Sequence, residues 1–179
     1  GSGKTEVFIK LAHDVTREGK NVIILVPEIG LTPQMVKRFE ENFENISIMH
    51  SKLSATEKLN EWKKVKEHKV NVIIGPRSAI FMPINNVGLI IIDEEHEGSY
   101  KQTSPSPRYD ARLVAQKLSQ LNGAKLLLGS ATPDINTYYK ALATDNLFTL
   151  KERFNNAPLA NVTVLNMAQE VMGSGAHLL

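Results

Sequence analysis

The chain has 179 residues, 42% hydrophobic and 22% charged, which suits one globular domain with a small remainder and is too apolar for disorder. Lys and Arg number 21 against 19 Asp and Glu, a formal charge of +2, so a nucleic-acid surface has to be a local patch. No cysteine is present, which excludes disulfides and Cys-ligated zinc; the longest apolar runs reach about a third of a membrane span and no basic, apolar leader opens the chain, which argues against membrane, secreted and fibrous classes.

Gly1-Ser2-Gly3-Lys4-Thr5 matches the end of the phosphate-loop pattern G-x-x-x-x-G-K-[ST]. The opening glycine of that loop and the strand that feeds it are expected upstream of Gly1, so the chain reads as a fragment of a longer protein. From Lys4 to Glu18, Val7, Phe8, Leu11, Ala12 and Val15 mark one face of a helix, with Gly19 closing it. Val22 to Val26 is a β-branched run typical of a strand covered on both faces. Thr32 caps a predicted helix with Pro33 at its first position, running to about Phe43. A short strand over Ile46 to Met49 precedes a helix opened by Ser54, with Glu57 in capping-box position. In that helix Leu59, Trp62 and Val65 recur every three residues, which predicts Trp62 as a core anchor, and Met35, Met49 and Met82 as core filler.

Val70 to Ile74 and Leu89 to Ile92 read as buried strands, Tyr109 to Leu121 as a helix, Lys125 to Leu128 as a strand and Asp134 to Leu142 as a final helix. Beyond Ala143 the pattern loosens: Phe148 to Leu150 and Val162 to Leu165 suggest strands, and Gly173 to Ala176 a linker. The expected division is a nucleotide-binding lobe over 1–145 and, over 146–179, its end and the start of a linker. Strands alternating with helices predict an α/β fold, a mostly parallel sheet flanked by helices, in which ligands sit at the carboxyl ends of strands.

Several groups of polar residues fall at those ends. The backbone of Gly1, Ser2, Gly3, Lys4 and Thr5 suits a phosphate cradle, Lys4 would neutralise the β/γ-phosphates and the Thr5 hydroxyl would hold Mg²⁺. Leu89 to Ile92 followed by Asp93, Glu94, Glu95 and His96 is a buried strand that delivers acids at its tip. There Asp93 suits the magnesium shell and Glu94 the attacking water, with a solvated acidic turn as the plainer reading. His96 comes directly after the acids and suits a role near the γ-phosphate. Gly129-Ser130-Ala131-Thr132-Pro133 offers Ser130 and Thr132 to couple nucleotide state to neighbouring loops; as an ordinary turn it would use Thr132 as an N-cap with Pro133 at the first helical position.

Together these segments resemble motifs I, II and III of superfamily-two, DEAH-type helicases, of the RecA-like fold. Val26-Pro27-Glu28-Ile29, Leu31-Thr32-Pro33-Gln34, Gly75 to Phe81, Asp93-Glu94-Glu95-His96, Ser99-Tyr100-Lys101-Gln102 and Pro107-Arg108-Tyr109 narrow the resemblance to the PriA family, primosomal protein N′ of bacterial replication restart. Pro76, Asp110 and the stretch Asp134 to Thr137 depart from the family's pattern. The resemblance implies an ATP- and Mg²⁺-dependent helicase moving 3′ to 5′ on single-stranded and forked DNA, in the bacterial cytoplasm at the nucleoid. It also implies primosome proteins and single-strand-binding protein as partners, no membrane, and zinc only in parts of the family's proteins beyond this chain. It places Thr32, Gln34, Arg77 and Ser78 on the DNA backbone, and Tyr100, Lys101, Arg108, Tyr109 and Arg112 in a DNA-sensing loop where aromatics and cations suit stacking and phosphate contact, with a solvated loop whose tyrosines pack on the sheet edge as the plainer reading. Two alternatives stand beside this reading: a double-strand DNA translocase of another superfamily-two group, and a lobe that is inert or only binds DNA when isolated.

Overall fold

A computed structural model describes residues 3–150. Five parallel strands make the sheet: β1 (Asn21–Leu25), β2 (Ile46–Ile48), β3 (Val72–Gly75), β4 (Val87–Asp93) and, after a small hairpin, β7 (Lys125–Gly129), in the order β2-β3-β1-β4-β7. The hairpin pairs two-residue strands β5 (Lys101–Gln102) and β6 (Tyr109–Asp110) antiparallel. Helices α1 (Lys4–Arg17), α2 (Pro33–Glu40), α3 (Ala55–Lys66), α4 (Ala111–Asn122) and α5 (Ile135–Ala143) complete the α/β fold predicted from the alternation. No described helix is long and apolar enough to cross a membrane.

Two core layers arise from the period-2 alternation of side chains along each strand. Val22, Ile24, Val72, Ile74, Leu89 and Ile91 pack against Phe8, Ile9 and Ala12 of α1 and Phe39 of α2. Their neighbours Ile23, Leu25, Ile73, Ile90 and Ile92 face Val65 of α3, Ala79, Ile80 and Tyr100, with Ala111 and Ala115 of α4. Both faces of β1, β3 and β4 are therefore dry, which is why these strands read as continuous apolar runs.

The local signals were accurate at most helix starts. Thr32 Oγ1 accepts the Met35 N–H, and Ser54 with Glu57 forms the full capping box. Several expectations change. The helix predicted to Phe43 stops at Glu40, and Phe43 packs on Phe39 from the turn beyond it. Trp62 is not a core anchor: it is half-exposed with the Lys66 ammonium 4.9 Å over its ring, and α3 buries only Val65. Phe148 to Leu150 forms no strand, while Val162 to Leu165 and the predicted linker lie outside the described residues.

Candidate active site

The site gathers where β4 and β7 end beside the start of α1. Asp93 is the last residue of β4 and pairs in register with Gly129, the last of β7. Gly129 is needed for close approach: a Cβ there would lie 2.6 Å from Cζ of Phe8, so α1 packs over it only because that position is bare. Gly3 precedes α1 with φ +84°, the left-handed region glycine adopts without cost, and turns the chain so that Lys4 faces the strand ends.

Lys4 Nζ sits 2.6 Å from Glu94 Oε1 and 3.4 Å from Asp93 Oδ1. Asp93 is mostly buried, and that burial pushes its carboxyl above the usual carboxylate range, with the Lys4 ammonium opposing the rise. Glu94 has φ +46°, a left-handed conformation that is uncommon for a residue with a side chain, and its N–H donates to Asp93 Oδ1 at 3.0 Å. The turn thus points two successive carboxylates at one ammonium.

His96 closes the next link. Its Nδ1 lies 2.7 Å from Ser130 Oγ and 3.7 Å from Glu94 Oε2, and its Nε2 is 3.5 Å from Thr132 Oγ1. Ser130 Oγ also accepts the Thr132 N–H at 3.0 Å, which makes the segment after β7 a compact turn around the imidazole. Thr132 does not cap α5. Asp134 does, accepting the N–H of Asn136 at 2.9 Å and of Thr137 at 3.4 Å, so Thr132 keeps its hydroxyl for the histidine side.

The residues assigned to DNA divide into three groups. Thr32, Gln34, Ser78, Lys101 and Arg108 are exposed on the segments beyond strand ends, or on the hairpin. Arg77 is half-buried and donates from Nη1 to the Ser99 carbonyl at 2.8 Å, tying the turn after β3 to the hairpin, and Tyr109 packs edge-on against the exposed Phe81, ring centroids 4.9 Å apart. Tyr100 is not available to DNA, and Arg112 is held by other protein groups. Tyr100 is 1% exposed, and its hydroxyl is shared between the carbonyls of Asp93 (2.6 Å) and Leu25 (3.1 Å); its ring is core and has no face for a base. Arg112 is gripped by both oxygens of Asp110, at 2.9 and 2.7 Å, and also donates to the Glu95 carbonyl at 3.0 Å, with its side chain partly exposed. Sequence reasoning passed over Glu95, which is 2% exposed and hydrogen-bonded through both carboxylate oxygens; a third consecutive acid carries no signal of burial on its own.

Gly3, Lys4, Thr5, Asp93, Glu94 and His96 are brought to one end of the sheet, while Gly1 and Ser2 lie outside the described residues. The donor set fits a magnesium nucleotide. Among the described residues no cluster of three or more His, Cys, Asp or Glu stands ready to hold a metal alone. A carboxylate and a hydroxyl are the hard oxygen donors that Mg²⁺ takes when phosphates and water fill its remaining positions.

A family model described as DEAD/DEAH box helicase matches residues 1–163. Replication restart protein PriA of Bacillus subtilis (strain 168) is 46% identical over 173 residues, 96% of this chain and 21% of its own length. The protein of the same name from Synechocystis sp. is 43% identical over 177 residues, again 96% of this chain and 21% of its own. The chain therefore spans about a fifth of the length of the curated relatives it matches. The solved structure of T4 UvsW aligns over 76% of this chain and 28% of its own at 10% identity, with a TM-score of 0.47. With Lys4 and the Asp-Glu-Glu-His turn at one end of a parallel sheet, and a family match over most of its length, the chain belongs to the DEAD/DEAH box helicase family.

Proposed function

We propose that the chain is most of the first ATP-binding lobe (1–145, with 146–179 leading out of it) of a replication restart helicase, which hydrolyses ATP to move 3′ to 5′ on single-stranded and forked DNA. The observation that carries this reading is Lys4 Nζ held between Asp93 and Glu94, in a chain 46% identical to a replication restart protein. The assignment puts the protein in the bacterial cytoplasm with nucleoid DNA as its track, and primosome proteins and single-strand-binding protein as partners.

In this reading Lys4 and the first N–H groups of α1 receive the β/γ-phosphates, because a helix N-terminus and an ammonium both favour negative charge. Thr5 and Asp93 would hold Mg²⁺, which when bound would neutralise charge on the transferring phosphoryl group. Glu94 orients the attacking water and accepts its proton. To reach a phosphate the Lys4 ammonium has to leave the Glu94 carboxylate, a movement that frees Glu94 for water. His96, Ser130 and Thr132 transmit that movement to the loops beyond β7. Thr32, Gln34, Ser78, Lys101 and Arg108, with Tyr109 and the tethered Arg77, line the DNA side, where phosphate contacts position the strand without reading its sequence. We further propose that the isolated chain turns over ATP weakly or not at all.

Strand displacement by the helicase that carries this chain tests the proposal. Duplexes with a 3′ tail should be unwound with ATP and Mg²⁺, and those with only a 5′ tail should not. Movement along blunt duplex without displacement would favour the double-strand translocase.

A further inference from the structure

Among the described residues, Glu95 and Ser47 are the polar side chains buried in the core, and Glu95 is the charged one. A carboxylate is tolerated there only with donors close at hand. Glu95 Oε1 accepts the Asp134 N–H at 2.7 Å and Oε2 the Thr137 hydroxyl at 3.3 Å, both at the start of α5. Its backbone is equally committed: the N–H donates to the Gly129 carbonyl at 3.0 Å, and the carbonyl accepts Arg112 Nη1 at 3.0 Å. Arg112 in turn is oriented by the bidentate Asp110 pair, which also caps α4 by accepting the Arg112 N–H at 2.9 Å.

These bonds fall on either side of one contact. The carbonyl that Arg112 holds belongs to the peptide bond between Glu95 and His96. The N–H that the Glu95 carboxylate holds belongs to Asp134, two residues past Thr132. Between the two anchors lies the imidazole of His96 with Ser130 at 2.7 Å and Thr132 at 3.5 Å. Neither the Arg112 nor the Glu95 side chain touches Lys4 or Asp93 in the described contacts, whereas both hold the segments that carry His96, Ser130 and Thr132.

We propose that Arg112 and Glu95 are positioning residues that clamp His96 against Ser130 and Thr132, and that Arg112 serves this clamp rather than a DNA phosphate. The consequence for turnover rests on the ATPase reading above; the clamp itself does not.

Amide hydrogen exchange and steady-state kinetics on the helicase carrying this chain test it together. Arg112→Ala and Glu95→Ala should raise exchange at residues 94–97 and 130–137 by about tenfold while amides of β1 and β3 stay protected. They should lower kcat at saturating DNA by about tenfold, with the KM for ATP and the affinity for single-stranded DNA within about twofold. Glu95→Gln should restore kcat, because its amide oxygen still accepts the Asp134 N–H, and Arg112→Lys should not, because an ammonium cannot reproduce the fork. Unchanged exchange at either segment overturns the clamp. So does an Arg112→Ala variant that binds DNA more weakly, with a salt slope reduced by about 1 and kcat intact, the behaviour of a phosphate contact. If the alanine variants exchange throughout the core, the other two decide: loss in Arg112→Lys with recovery in Glu95→Gln supports the clamp, and the reverse overturns it. A parent enzyme that fails to hydrolyse ATP would sink the ATPase reading, with the exchange pattern still deciding the clamp.

Discussion

Asp93 sits in the core's edge with an ammonium 3.4 Å away, and burial outweighs that ammonium, so its carboxyl titrates above the ordinary range. A raised carboxyl pKa means the ionised form is penalised in the folded state, so stability falls as pH rises from the ordinary carboxylate range through that pKa. Asp93→Asn should therefore unfold at a higher temperature than the parent near pH 7. The gain should shrink as pH falls through the Asp93 pKa, where the parent's carboxyl is already neutral, while nucleotide binding with Mg²⁺ is weakened at every pH. Thermal unfolding of both proteins across pH, with a fluorescent ATP analogue titration, reads both effects. Tyr100 shows a different residue-scale lesson. The resemblance implies a DNA-sensing role for it, but the ring fills the space under the ends of β1 and β4, with its phenol held neutral by burial and nearby acids. No local pattern separates a tyrosine that stacks on a base from one that bridges two carbonyls. Tyr100→Phe keeps the ring and removes the hydroxyl shared by Leu25 and Asp93, leaving two buried acceptors short of a donor. A loss of about 1–2 kcal/mol in denaturant unfolding is expected.

Strands and caps were the legible elements. A buried parallel strand has no polar face to interrupt its run, so Val22 to Leu25 and Leu89 to Ile92 are visible in sequence, and Thr32 and Ser54 mark helix starts through hydrogen bonds that need only neighbours three residues on. The hairpin of β5 and β6 was not legible, because two residues are too short for alternation to show and Gln102 organises the intervening loop by donating to the carbonyls of Pro105 and Pro107. For the same reason the helix predicted from Tyr109 starts at Ala111, behind the Asp110 cap. Glycines at strand ends carry a packing demand that sequence also leaves unseen. A Cβ on Gly75 would lie 2.8 Å from Cβ of Met49, 2.9 Å from Cβ of Ala79 and 3.0 Å from the Met49 carbonyl oxygen, none of them a flexible tip. Gly75→Ala should cost about 1–3 kcal/mol by overpacking between β2 and the turn after β3, measurable as a lower denaturation midpoint.

At the scale of the molecule, the α/β architecture was legible because strand and helix periods alternate along the chain, and the site because parallel strands deliver their tips to one end. Lys4 and Glu94 are 90 residues apart and meet at 2.6 Å only through that topology. The modest +2 charge goes with cations placed singly, as at Lys101 and Arg108, and others paired with acids, as at Arg112. The proposed function requires Lys4, Asp93 and Glu94 to form a magnesium-nucleotide site. Its most direct test is ATP hydrolysis by Lys4→Ala in the helicase that carries this chain, with and without single-stranded DNA. Hydrolysis should fall by at least about 100-fold while DNA affinity stays within about twofold. DNA-stimulated hydrolysis that survives the substitution would contradict the account.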